Sequence, residues 1–254
     1  MNGYLFGCVV LGSAWLLTLI LLRTRGQERQ LPEFLWASFT CSLLGFTEFL
    51  FVPEYWDPPS IFKVGRWDLE SFPFCFFTGG ITAVLTELPW LRRIFSRLVA
   101  EIEGAASGVA ALWYRITGGA PAPVEPAKAL TRGEIQLENM LLLTFFLAAF
   151  GFTAQLNLNI IYDAALVCLA AGALIAWRRP DLRWQILGGA CVFTVVYSSV
   201  LLIVKWFYPD FFSHWNHAAL SGRWFLGAPA EEYLYAFSFG TFWAPLYEAW
   251  RHGD

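Results

Sequence analysis

Of 254 residues, 57% are hydrophobic and only 15% are charged. A soluble domain carries about 25% charge, so this shortfall, with a mean hydropathy of +0.51, makes a bilayer the expected solvent. The net charge of −3 comes without any basic stripe, which excludes a nucleic-acid binder. Cys8, Cys41, Cys75, Cys168 and Cys191 fall singly inside apolar runs, the pattern of packed or lipid-facing thiols rather than of a disulfide or metal framework.

In chain order, apolar stretches of about 20 residues, the length that crosses a bilayer, recur near 3–22, 31–52, 70–91, 137–157, 159–177, 184–206 and 229–250. The first follows MNGY without the basic leader of a cleavable signal and is expected to stay as an anchor. Arg23, Arg25, Arg29, Arg92, Arg93, Arg97, Arg115, Lys128, Arg132, Arg178, Arg179, Arg183 and Arg251 then lie on one side, and only Lys63, Arg66, Lys205 and Arg223 on the other. The positive-inside rule therefore puts the N-terminus outside and the C-terminus in the cytoplasm, in a cytoplasmic-membrane protein. Between 92 and 136, apolar residues at helical spacing (Ile94, Leu98, Ile102, Ala105, Val109, Leu112, Ile116) read as an extension of the third span or as a helix on the membrane surface. Gly118, Gly119, Pro121, Pro123 and Pro126 break it into a linker.

Two segments resemble each other. FVPEYWDPPSIFKVGRWDLESFPFCFFTGG (51–80) can be laid on FYPDFFSHWNHAALSGRWFLGAPAEEYLYAFSFG (207–240). Both have an aromatic-x-Pro-acid opening, an internal Gly-Arg-Trp and an acid heading a Phe-rich helix. Four extra residues after the second Gly-Arg-Trp bring Glu70 onto Glu231, Phe72 onto Tyr233, Phe76 onto Phe237 and Gly79 onto Gly240. Two three-helix units keep the same orientation only if one span separates them. The expected fold is thus all-α, with seven transmembrane helices in two parallel repeats. The expected divisions are 1–98 (first repeat), 99–136 (amphipathic segment and linker), 137–158 (connecting helix) and 159–254 (second repeat), with a site where the repeats meet.

Intramembrane carboxylates cost about 2.5–3.5 kcal/mol each on insertion scales and demand a reason. Glu231, Glu232, Glu70, Glu48 and Asp163 all fall toward the outer level, whereas Glu33, Glu87, Glu138 and Glu248 fall at the opposite one. A heading acid offsets a helix dipole for about 0.3–1 kcal/mol, but one is enough for that. The adjacent pair Glu231 and Glu232 suits a second role, a protonated acid in an oily place. Tyr233 and Phe237, like Phe72 and Phe76, are four apart on one helix face. With Trp67 and Trp224 in the preceding loops, they read either as ordinary membrane packing or as ring faces around a transient cation.

GAPAEEYLY (227–235) resembles the Pro-x-Glu-Glu-aromatic signature of the lycopene cyclase domain, a membrane unit that occurs in two copies, in separate subunits or in one chain. The resemblance implies redox-neutral ring closure at the ends of a linear carotenoid: an acid protonates the terminal alkene, an internal alkene attacks the cation, and loss of a proton closes the ring. It implies Glu231 and Glu232 as the acid pair and Glu70 as their counterpart; Tyr233, Phe237, Phe72, Phe76, Trp67, Trp224 and Glu48 are then the residues expected around the substrate. The first copy departs from the signature: Asp68-Leu69-Glu70-Ser71 lacks the proline and the second acid, which leaves Asp68 or Glu48 as a partner for Glu70. The partners expected are a carotenoid or other isoprenoid lipid and the bilayer, with carotenoid-pathway enzymes or a second copy of the chain as protein partners. No cofactor is expected, because no Gly-x-Gly-x-x-Gly fingerprint is present, and no metal is assigned, although His214 and His217 have a His-x-x-His spacing.

Two other classes compete. One is a carotenoid-binding or scaffold protein that uses the repeats for packing. The other is a glutamate-type intramembrane protease, whose motif wants an Arg where this chain has Ala236.

Overall fold

The computed structural model describes residues 2–117 and 159–250, with positions 144, 148, 149, 151–153 and 155 between them. The expected linker, most of the expected span at 137–157, and Arg251 and His252 lie outside the described residues.

The chain is mostly helical. Helix α1 (Gly3–Thr24) starts where the Asn2 side chain accepts the Leu5 N–H at 2.8 Å. A 3-10 turn leads into α2 (Leu31–Ser42), which continues through a second 3-10 stretch, Leu43–Thr47, into the single turn α3 (Glu48–Phe51). A two-residue hairpin, β1 (Lys63–Val64) with β2 (Trp67–Asp68), precedes α4 (Ser71–Leu85). Pro73 is the third residue of α4, where no intrahelical N–H is needed. The chain then bends by 68° into α5 (Pro89–Thr117), whose proline takes the first helical position.

The second half runs through a helix, a 3-10 turn, a helix, a hairpin and a helix. Helix α6 (Ile160–Arg178) is capped by Asn159, whose side chain accepts the Ile161 N–H at 3.1 Å. A 3-10 turn at Pro180–Leu182 leads into α7 (Arg183–Phe207), and the hairpin β3 (Trp224–Phe225) with β4 (Ala228–Pro229) leads into α8 (Ala230–Trp250). Among the described residues, four helical segments are long and apolar enough to cross a membrane (Gly3–Thr24, Glu28–Phe51, Ile160–Arg178 and Pro180–Phe207), and the bent pair α4–α5 makes five if counted as one. Helix α8 is not among them, which is consistent with Glu231, Glu232 and Glu248 in its sequence, and it is enclosed by α6 and α7.

The Gly-Arg-Trp triplets occupy different places in the two hairpins. Gly65 and Arg66 form the first turn, whereas the second turn is Leu226 and Gly227, and Gly222 and Arg223 precede the strand. The hairpins therefore correspond at the spacing that pairs Glu70 with Glu231, four residues away from the triplet match.

Close helix contact is made by glycine. In α4, a Cβ on Gly79 would lie 2.6 Å from the Ala37 carbonyl of α2; in α8, a Cβ on Gly240 would meet the Gly189 carbonyl of α7. Helix α4 touches α8 across the middle of the molecule, where Trp243 donates from Nε1 to the Gly79 carbonyl at 3.2 Å. The larger core cluster includes Phe193, Tyr197, Phe239 and Trp243 of the second half, and a smaller one joins Leu22, Phe34, Ala37, Ala83 and Val84.

The start of α1, the ends of α3 and α7, and the heads of α4, α6 and α8 share one end of the bundle. Tyr4 reaches Ser71, Asn2 donates to the Pro59 carbonyl, and Asn159 donates to the Ala219 carbonyl at 2.9 Å. The two hairpin-bearing loops are joined there. Asp57 N–H donates to the His214 carbonyl at 2.9 Å, and Asn216 N–H donates to the Tyr55 carbonyl at 2.8 Å. At the opposite end, Gln185 donates to Glu87 and Arg179 donates to the Glu248 carbonyl at 3.0 Å.

Candidate active site

Adjacent residues of an α-helix point about 100° apart, so Glu231 and Glu232 in the first turn of α8 cannot face the same neighbour. Glu231 Oε1 accepts the Tyr162 hydroxyl at 2.6 Å and the Ser221 N–H at 2.7 Å, fixing α6 and the preceding loop to the head of α8. Glu232 turns into the bundle. Its Oε1 accepts the Tyr55 hydroxyl and the Trp215 indole N–H at 2.7 Å, and its Oε2 accepts the Tyr197 hydroxyl at 2.8 Å. Burial, and then the adjacent Glu232 carboxylate, hold the Tyr55 phenol well above the ordinary tyrosine range, so it serves as a donor throughout the neutral region.

The first half has a related arrangement. Glu70 Oε1 accepts the Ile61 N–H at 2.6 Å, as Glu231 accepts that of Ser221. The next position holds Ser71 where the second half holds Glu232. Ser71 Oγ donates to Glu48 Oε2 at 2.5 Å, and the Tyr4 hydroxyl lies 2.8 Å from the same Oγ. Glu48, from the turn α3, thus supplies in space the carboxylate that the sequence lacks after Glu70. Asp68 is fully buried beside this group, where it accepts the Ser60 hydroxyl at 2.5 Å; burial pushes its carboxyl up.

Between the two arrangements lies a cavity of about 520 Å³, within the range of about 300–1,000 Å³ common for ligand sites. Glu48 and Glu232 both line it; Glu70 and Glu231 do not. Apart from Thr40, Thr47 and Ser71, its remaining wall is aromatic and apolar. Tyr235, Phe239 and Trp243 run down α8 as a ladder, with ring centroids 5.7 and 5.3 Å apart and the second pair only 11° from parallel. Trp56, also on the wall, packs between Tyr4 at 4.8 Å and Trp215 at 5.4 Å. An apolar chamber with two carboxyls on its wall can move a proton while presenting ring faces to positive charge.

The other aromatic side chains singled out in the sequence lie elsewhere. The Tyr233 hydroxyl donates to the Phe225 carbonyl at 2.9 Å, and Phe237 is on the outer surface. Phe72 packs on Phe46, Phe76 packs against Trp15 and Phe39, Trp67 donates to the Phe46 carbonyl at 3.2 Å, and Trp224 stacks over His217. None of these six lines the cavity. The reason is rotational: the cavity face of α8 is the one that contains Glu232, so it continues through Tyr235 and Phe239 rather than through Tyr233 and Phe237. Four-residue spacing of Tyr235, Phe239 and Trp243 was the available signal for this face, and Tyr197 was visible as the lone tyrosine of its span.

Residues 159–250 match the family model for lycopene cyclase. This half of the chain therefore resembles that family, and it contains Glu232, Tyr197, Trp215 and the aromatic ladder. The half that contains Glu48 and Glu70 lies outside the match. Neither curated proteins nor solved structures gave a match to the chain.

Proposed function

We propose that the protein is an integral-membrane carotenoid cyclase that closes rings at the ends of a linear, lycopene-type polyene without net oxidation or reduction. One observation carries this reading: within the segment that resembles lycopene cyclase, Glu232 places a buried carboxyl on the wall of an apolar, aromatic cavity. Proton transfer to and from a polyene needs carboxyls held away from bulk water, and the cation between the two transfers needs electron-rich surroundings that do not trap it. The ladder Tyr235, Phe239 and Trp243 supplies such surroundings along the path from the carboxyl. Glu231 and Glu70 act by holding the two loops in place, since each accepts a backbone N–H from the loop before its own helix.

Two features support a parallel-repeat architecture of seven spans, with 137–157 as the connector: the recurring element order and the matching use of Gly79 and Gly240. Arginine placement supports an N-terminus outside and the acid end of the bundle facing the outer side.

Expression in a lycopene-accumulating host tests the reading. Cyclic carotenoid should appear; unchanged lycopene in cells whose membranes contain the protein would instead favour a carotenoid-binding role.

A further inference from the structure

Two carboxyls line the cavity, and their hydrogen bonding differs. Glu232 receives three donors, and the Trp215 indole can only donate, so Glu232 is built to accept on both oxygens. Three donated bonds favour the carboxylate form of Glu232 over its acid. Glu48 is only 7% exposed and receives one donor, Ser71, on Oε2; its Oε1 is buried without a hydrogen-bond partner among the described residues. A proton on Oε1 displaces nothing. Such a buried atom on the wall of an apolar cavity is costly unless it has a use.

We infer that Glu48 is the proton donor of the ring closure and that Glu232 is the base that receives the proton at its end. This assignment rests on the cyclase reading. The Glu48 carboxylic acid gives its proton to the terminal alkene of the polyene, leaving a tertiary cation. The internal alkene attacks it, forming the ring bond and moving the positive charge to the next tertiary carbon. Glu232 carboxylate takes the proton from the adjacent ring carbon, whose C–H electrons become the ring double bond. One proton enters, one leaves, and no electron is exchanged with any other reagent. Glu232 then loses its proton to water and Glu48 takes one from water, which restores the enzyme. The sides of the cavity that carry the two groups are connected by Ser71, Tyr4, Trp56 and Trp215.

The two roles predict different products. In membranes supplied with lycopene, Glu48→Gln should lower consumption of the linear substrate by about 10²–10⁴-fold, the usual weight of a general acid. Glu232→Gln should still consume substrate but give rings whose double bond is misplaced, because the cation then loses a proton from a neighbouring carbon. Rates are normalised to inserted protein. If Glu48→Gln does not accumulate, Glu48→Asp takes its place: slowed turnover with an unaltered ring supports the assignment, and unchanged turnover refutes it. Wild-type rate in Glu48→Gln, or rings with the normal double bond from Glu232→Gln, overturns the assignment and leaves the cyclase reading intact. An inactive wild-type protein overturns the cyclase reading itself.

Discussion

The adjacent acids at the head of α8 have separate tasks because one peptide unit turns them toward different neighbours. Glu232 faces three donors and the cavity, whereas Glu231 faces Tyr162 and the Ser221 N–H. Glu232→Gln should therefore alter the chemistry, and Glu231→Gln should cost turnover only through loop placement. Initial rates on lycopene are expected to fall by less than tenfold in Glu231→Gln. Equal, severe losses in both variants would argue that the pair acts as a unit. Removing a donor has a different readout. Tyr197→Phe leaves Glu232 Oε2 without its partner, and a buried acceptor stripped in this way costs about 1–3 kcal/mol. Thermal unfolding in detergent should show that loss as a lower midpoint. At this scale the sequence was informative about which acids to suspect and silent about their orientation. The partners of Glu232 lie 177, 35 and 17 residues away in Tyr55, Tyr197 and Trp215, and no local spacing encodes such distances.

Among the elements, the apolar runs were legible because a bilayer-length stretch has few alternatives: the runs expected near 3–22, 159–177 and 184–206 correspond to helices Gly3–Thr24, Ile160–Arg178 and Arg183–Phe207. The third run was less simple. Its apolar stretch continues to 91, but the helix stops at Leu85 and resumes at Pro89 after a 68° bend. Hydropathy does not register such a break. The hairpins were also hidden, since Gly-Arg-Trp suggested one register and strand pairing uses another. In the second hairpin both turn residues have positive φ, Leu226 at 48° and Gly227 at 86°, the backbone of a type I′ turn that prefers Asn-Gly. A leucine in that region is strained by about 1–2 kcal/mol. Leu226→Asn should accordingly raise the unfolding midpoint, and an unchanged or lower one would show that the exposed leucine has a compensating contact. Glycine packing makes the opposite prediction. Gly240→Val forces a side chain onto the Gly189 carbonyl and should cost at least about 1–3 kcal/mol, seen as loss of folded protein from the membrane.

At the scale of the whole molecule, the two halves touch at both ends and across the middle, and share one cavity. Tyr55 belongs to the first half but donates to Glu232 of the second, and the loops pair above through Asp57 and Asn216. The site is therefore not contained in the segment that resembles lycopene cyclase. The halves expressed as separate chains should each be inactive and should regain activity together, if both insert with their acid ends on the same side. Orientation can be read with a reporter fused at the C-terminus, which should be cytoplasmic. Sequence patterning expected the acid-headed helices of the two halves, with Glu70 and the Glu231–Glu232 pair, to frame the site; of these acids only Glu232 lines the cavity. It placed Glu48 near the substrate only as a partner for Glu70, because the duplicated motif drew attention to Glu70, and the substitution of Glu48 for a second heading acid exists only in three dimensions. The most direct measurement of the central claim is isotopic: membranes containing the protein are supplied with lycopene in heavy water and the product is analysed by mass. Acid-initiated closure predicts one retained deuterium in each new ring. Rings without deuterium, or deuterium-free linear lycopene recovered alone, would contradict it.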